Sequence, residues 1–230
     1  YTDYIAEHVE PWSYLKFPYL KSFGWKGLNV GPEYGIYRVA PSARFNVAKG
    51  FTTPLANEAF QKYFATLGGT PVHATLANHW ARVIEIMYSA ERTKELVADP
   101  EIRNPDVRNI PTEVVGEGVG VIEAPRGTLF HHYKTDEKGF VTRANMLVAT
   151  GNNNAAICMS IRDAAKGLIK AGEEVSEGTL NMIEMAFRAY DPCFGCATHS
   201  LPDQMPMEVT VFGPDGEEIR TLMRMRGGGR

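Results

Sequence analysis

Two cysteines three residues apart, Cys193 and Cys196, constrain this chain more than any other feature of its sequence. A Cys-x-x-Cys turn aims two sulfurs at one point, and deprotonated thiolates are soft ligands that favour nickel, iron, zinc or copper(I). Asp191 stands two residues before the first cysteine and His199 three residues after the second. Pro192 fixes the backbone ahead of Cys193, and Gly195 lets the turn between the thiols close tightly. Three other readings compete. A thioredoxin-like redox pair opens a helix after a strand, whereas this one follows an expected helix. A structural zinc site needs four ligands, and Cys193, Cys196 and His199 supply at most three. A disulfide or a chance pair is the third. On chemistry alone the pair is half of a metal site whose other half lies elsewhere.

The rest of the chain offers little to complete it. Cys158 is the remaining cysteine, and it falls inside an expected helix as a buried apolar residue. His73 and His79 are six residues apart and do not share a helical face. Cysteine usage this sparse suits a reducing compartment, so a cytoplasmic setting is expected. A net charge of −3 leaves no electrostatic footprint for nucleic acid or an anionic membrane. No apolar run approaches the roughly 20 residues that span a bilayer, and no signal peptide is visible. The chain opens at Tyr1 inside patterned sequence, and is expected to be the C-terminal part of something longer.

Local patterns predict an α+β fold that is mostly helical. Residues 1–40 are rich in aromatics, Gly and Pro, which suits short strands or irregular structure packed on a larger body. Pro54 opens a helix that runs to Leu67 and stops at Gly68-Gly69. Residues 71–98 predict one long helix, with Ala74, Ala77, Ala81, Ile84, Met87, Ala90 and Leu96 on its apolar face. A polar loop follows over 100–111. From 113 the period changes: a glycine-rich strand over Val114–Ile122, then a hairpin of Thr128–Lys134 and Phe140–Val148 around Asp136–Gly139. Helices are expected over 155–171 and 176–189, the second capped by Ser176. Beyond His199, Met207–Phe212 and Glu217–Met223 flank the turn Gly213–Gly216, and residues 225–230 should fray. Arg38 and Arg44 can pair with carboxylates inside the fold or lie on the surface.

Two strings reach further than spacing does. Asp191-Pro192-Cys193-x-x-Cys196-Ala197-Thr198-His199 resembles the C-terminal signature of the large subunit of nickel–iron (NiFe) hydrogenases. Glu123-Ala124-Pro125-Arg126-Gly127 resembles a second signature of that family, and Gly31–Asn46 and Met146–Asn154 resemble further stretches of it. The resemblance implies the C-terminal portion of the hydrogenase large-subunit fold, with a β-hairpin region and a C-terminal hairpin tail. Residues 1–199 would belong to that domain. Residues 200–230 would be a removable extension, cut after His199 by a maturation endopeptidase that probes for nickel.

The same resemblance implies an enzyme that reversibly oxidises H2 to protons and electrons at a Ni–Fe centre with CO and CN ligands. Cys193 would be a terminal nickel ligand and Cys196 a thiolate bridging nickel and iron. His199 would ligate a nearby Mg2+ or other divalent ion, and Met146 would offer that ion its backbone carbonyl. Thr150 stands where a donor to a cyanide is expected, beside Ala149, where many relatives have proline, and Gly151, where many have Thr. Arg126, Asp191 and Cys193 would be catalytic: the Arg126 guanidinium handles the proton as hydrogen splits, and Asp191 orients it. Electrons would leave through an iron–sulfur small subunit, because Cys158, the one cysteine left, cannot bind a cluster by itself.

The Tyr190–Cys193, Ala197–His199 and His131–Tyr133 details are closest to the F420-non-reducing, methyl-viologen-reducing type, which works with heterodisulfide reductase and an electron-transfer subunit. NAD- and F420-reducing relatives are near alternatives. A non-catalytic scaffold, such as the related subunit of respiratory complex I, is the alternative of a different class. Such relatives typically lose the cysteines, and this chain keeps Cys193, Cys196 and Arg126 together. The family's first cysteine pair and the glutamate of its proton path lie outside this sequence, so the chain by itself is expected to be inert.

Overall fold

Aromatic and proline-rich sequence at the start of the chain folds into a small hairpin. Strands β1 (Ile5–Val9) and β2 (Lys16–Leu20) pair antiparallel, with Ile5 opposite Leu20 and Val9 opposite Lys16. Phe17 on β2 is fully buried, and the Trp12 and Trp25 rings each pack 5.6 Å from it. The computed structural model describes residues 1–13, 15–198 and 207–224, of which Tyr1–Pro192 form one compact unit and the chain from Cys193 another.

Prolines open the first helices of the first unit. Helix α1 (Pro41–Val47) was not expected within the segment 31–46; it begins on Pro41, whose fixed φ is already helical. Helix α2 (Pro54–Leu67) begins on Pro54 and ends where Gly68 adopts φ 88°, a left-handed cap that glycine takes without steric cost. Helix α3 (Ala77–Ala98) starts six residues later than the apolar spacing predicts. The cause is a side chain from α1. Asn46 Nδ2 donates to the Val72 carbonyl (2.8 Å) and Asn46 Oδ1 accepts from the Val72 N–H (2.9 Å), which draws this backbone away from a helical path. His73 therefore lies outside the helix.

The core of this region is aromatic. Phe45 on α1 meets Phe51 at 5.3 Å and both Phe60 and Tyr63 of α2 at 5.1 Å, and Ala81 and Ile84 of α3 close the cluster. Beyond Ile84 the predicted apolar face of α3 is not covered: Met87, Ala90 and Leu96 are exposed among the described residues. Pro100–Arg103 form a single 3-10 turn in the loop that follows.

Strands β3 (Glu117–Ala124), β4 (Gly127–Thr135) and β5 (Val141–Leu147) make an antiparallel sheet in that order. β3 runs two residues further than the glycine-rich pattern predicts, and its register with β4 ends at Ala124 opposite Gly127. Pro125 and Arg126 are thus the two residues of the hairpin loop. A short turn of helix, α4 (Ala149–Asn152), precedes α5 (Asn154–Leu168), so helical structure begins and ends earlier than 155–171. Cys158 on α5 is half-buried, and burial raises its thiol pKa above the ordinary value. Helix α6 (Glu177–Arg188) is capped by Ser176, whose hydroxyl accepts from the Thr179 N–H at 3.1 Å.

The second unit holds α7 (Phe194–Thr198) and an antiparallel hairpin, β6 (Met207–Phe212) with β7 (Glu218–Arg224), turning at Gly216 with φ 83°. The α+β class read from the sequence is the class observed. No helix among the described residues is long and apolar enough to cross a membrane.

Candidate metal centre

The hairpin loop of β3 and β4 presents Arg126. Its neighbour Gly127 adopts φ 126°, and a Cβ there would stand 2.1 Å from Val39 Cγ2, so only glycine fits. Arg126 Nε donates to the Asp191 carbonyl at 2.8 Å and lies 3.1 Å from Asp191 Oδ2. Both side chains are 45% exposed, so the pair contributes little to stability and acts by setting direction.

Asp191 itself is held by the end of α6. Its N–H donates to the Arg188 carbonyl at 2.9 Å, and its φ of 50° is a left-handed conformation that Asp adopts more readily than most residues. Arg82 on α3 donates to the Ala189 carbonyl at 3.0 Å. Burial lowers the Arg82 pKa below its ordinary value; the charges of Asp191 and Glu85 oppose this, while Arg126 and Arg44 add to it. Tyr190 is buried, its hydroxyl 3.0 Å from Ser160 Oγ.

Of the two arginines the sequence left open, Arg44 pairs with carboxylates and Arg38 pairs with none among the described residues. Arg38 reaches the His73 carbonyl and ring, each at 3.3 Å. Arg44 meets Glu85 of α3 and Glu123 of β3. Burial works to lower its pKa, but the hydrogen bonds and charges of Glu85 and then Glu123 outweigh it, and the guanidinium sits above its ordinary value.

The stretch Met146–Asn154 runs from β5 into α5. Met146 lies opposite His131 of β4, and its sulfur accepts from the Tyr133 hydroxyl at 3.6 Å. Ala149 and Thr150 are buried in α4. Three asparagines in a row then staple this junction to the fold, all buried. Asn152 accepts from the Tyr37 hydroxyl and donates to the Thr128 carbonyl (2.8 Å). Asn153 accepts from the Val39 N–H (2.9 Å), and Asn154 donates to the Lys16 carbonyl (2.9 Å). They fall inside the stretch Met146–Asn154 that the family resemblance marks, but neither it nor periodicity gives the three asparagines a role of their own. Three consecutive amides at a strand-to-helix junction are the signal, because buried amides must find partners.

Cys193 and Cys196 belong to the second unit. Their Cα atoms are 5.3 Å apart and their sulfurs are joined as a disulfide, the alternative that the spacing also allows. The bonded sulfurs stand in for two thiolates. The reduced pair would present two soft donors to one point, as nickel or iron requires, so these residues fit such a centre. Cys193 precedes the first residue of α7, and its carbonyl accepts from the Ala197 N–H at 3.0 Å, which closes the turn. Among the described residues no group of three His, Cys, Asp or Glu side chains is placed to hold a metal ion. His199 lies outside the described residues, as do residues 225–230.

Residues 8–199 match the family described as nickel-dependent hydrogenase. The chain is 51% identical over 222 residues to an F420-non-reducing hydrogenase iron-sulfur subunit of Archaeoglobus profundus, covering 96% of this chain and 46% of that protein. It is 46% identical over 221 residues to the NAD-reducing hydrogenase HoxS subunit beta of Cupriavidus necator, covering 95% of this chain and 44% of that one. It therefore spans less than half the length of these curated relatives. Among solved structures, an NAD+-reducing NiFe hydrogenase in the H2-reduced state superposes with a TM-score of 0.78 at 43% identity, over 86% of this chain and 42% of the other. The Ni-Fe-Se hydrogenase of Desulfomicrobium baculatum, at a TM-score of 0.53 and 21% identity over 80% of this chain and 37% of that one, shares the fold alone.

Proposed function

The chain belongs to the nickel-dependent hydrogenase family, and on that premise we propose that it is the C-terminal part of a hydrogenase catalytic subunit. The reaction is the reversible oxidation of H2 to protons and electrons. The observation that carries this reading is the contact of Arg126 with Asp191, two residues ahead of Cys193 in the chain.

Cys193 and Cys196, as thiolates, would hold the Ni–Fe centre. Thr150 and Ala149, both buried, would face the diatomic ligands of that centre. His199 and the Met146 carbonyl would hold a Mg2+ or other divalent ion. When bound, the Ni–Fe centre supplies the redox chemistry that divides hydrogen into protons and electrons. This chain's own part is to place groups around it. Asp191 ties down Arg126 Nε, and the Nη end of the guanidinium holds and passes on the proton.

Electrons leave to an iron–sulfur small subunit. The curated relatives include F420-non-reducing hydrogenases at 51% and 41% identity, which supports that type, with heterodisulfide reductase and an electron-transfer subunit downstream in the cytoplasm. A second reading, an NAD-reducing enzyme, draws on the 46% identity to the HoxS subunit and the 0.78 TM-score. Residues 200–230 are a maturation extension in this reading, removed by an endopeptidase.

The test is nickel itself. Cys193→Ser and Cys196→Ser, each made in the complete subunit, are expected to lose nickel by elemental analysis together with hydrogen uptake. A variant that keeps its full metal content and turnover would sink the assignment.

A further inference from the structure

The loop that carries Arg126 is gripped from behind by another arginine. Arg44 Nη1 donates to Glu123 Oε1 at 2.7 Å and to the Ala124 carbonyl at 2.9 Å, and Nη2 donates to the Pro125 carbonyl at 2.8 Å. One guanidinium thus holds three consecutive residues up to the position before Arg126. Its remaining edge is taken by a carboxylate: Nε and Nη2 meet Glu85 Oε1 and Oε2, each at 2.6 Å. Arg44 and Glu85 are only 23% and 20% exposed, which makes this pair more than a surface ion pair.

On the β4 side of the loop, Thr128 donates to Glu123 Oε2 at 2.8 Å and its carbonyl accepts from Asn152 at 2.8 Å. Val119, Val121 and Ile122 on β3 are more than half exposed, so β3 itself packs on almost nothing among the described residues. The loop also lies close against Val39 at Gly127. Glu85 stands one helical turn after Arg82 on α3, and residues at i and i+3 share a face. Arg82 holds the Ala189 carbonyl, two residues before Asp191. One face of α3 therefore grips both partners of the Arg126–Asp191 contact, Asp191 through Arg82 and Arg126 through Glu85 and Arg44.

We propose that Arg44, seated on Glu85, is a positioning residue that sets Arg126 against Asp191. The role rests on the reading of Arg126 as the proton-handling group. Lysine cannot replace Arg44 here, because a single ammonium cannot meet a bidentate carboxylate on one side and two carbonyls on the other.

The experiment is a double-mutant cycle in the complete, nickel-loaded subunit with its small subunit, using Arg44→Lys, Arg126→Lys and both together. Arg44→Lys is expected to lower turnover by about 10- to 100-fold, the scale on which a small misplacement of a reacting group acts. Nickel content and the KM for hydrogen should not change. Added to Arg126→Lys, it should cost little more, because both changes remove one function. Normal turnover in Arg44→Lys, or losses that multiply in the double variant, overturns the positioning role while leaving Arg126 in place. Near-normal turnover in Arg126→Lys overturns the underlying reading, and the positioning role with it. If Arg44→Lys does not accumulate, Glu85→Gln takes its place in the cycle. It leaves Arg44 intact but removes the charge that seats it, and the same outcomes decide.

Discussion

Asp191 meets one nitrogen of Arg126 twice: its main-chain oxygen accepts from Nε at 2.8 Å, and its carboxylate Oδ2 lies 3.1 Å from the same atom. Two acceptors from one residue converge on that nitrogen, and Asp191 itself sits at a left-handed φ of 50°. The contact leaves the outer end of the guanidinium fork for other work.

Arg126→Lys in a complete, metallated enzyme should lower turnover at least about 100-fold with nickel content unchanged. Lysine keeps the charge but has no Nε donor to meet Asp191 while a second nitrogen faces the reaction. Hydrogen-uptake assays beside elemental analysis check it, and near-normal activity would reduce Arg126 to a packing residue.

Gly127→Ala should destabilise the complete subunit by about 2 kcal/mol or more, since it combines a disfavoured φ with a clash. The new methyl would fall 2.1 Å from Val39 Cγ2 and 3.0 Å from the Ala40 nitrogen at φ 126°. Adding Val39→Ala should recover part of the loss, because it removes the clash but not the backbone strain. Urea titration of the two variants separates the contributions. Equal stability of Gly127→Ala and the parent would show that the loop can shift without cost.

If residues 200–230 are a maturation extension, mass spectrometry of the subunit from active enzyme should find a chain ending at His199. Strands β6 and β7 form an antiparallel hairpin with a register shift between Val211 and Phe212, which a removable segment and a permanent one can both show. Fully active protein that still carries residues 200–230 would end the idea.

Much of the fold is written locally. Pro54 and Gly68 bound α2, and Ser176 caps α6, because proline, left-handed glycine and a capping hydroxyl act within one helical turn. The β4–β5 and β6–β7 hairpins follow from alternating residues around short turns. The Cys193–Cys196 spacing is equally local, and the two sulfurs meet.

What the tertiary structure decided lies between residues far apart in sequence. Periodicity alone ran α3 back to residue 71; Asn46, 26 positions from Val72, moved its start to Ala77. Arg44 could have been a surface arginine until Glu85, 41 positions away, and the Ala124 and Pro125 carbonyls surrounded it. Asn152, Asn153 and Asn154 carry no periodic signal, and each finds its partner on a different, distant segment. Local propensity reports what a residue does to its own turn of backbone. A buried polar group answers instead to whichever donor or acceptor the folded chain brings within hydrogen-bonding distance, and that pairing exists only once the chain has folded.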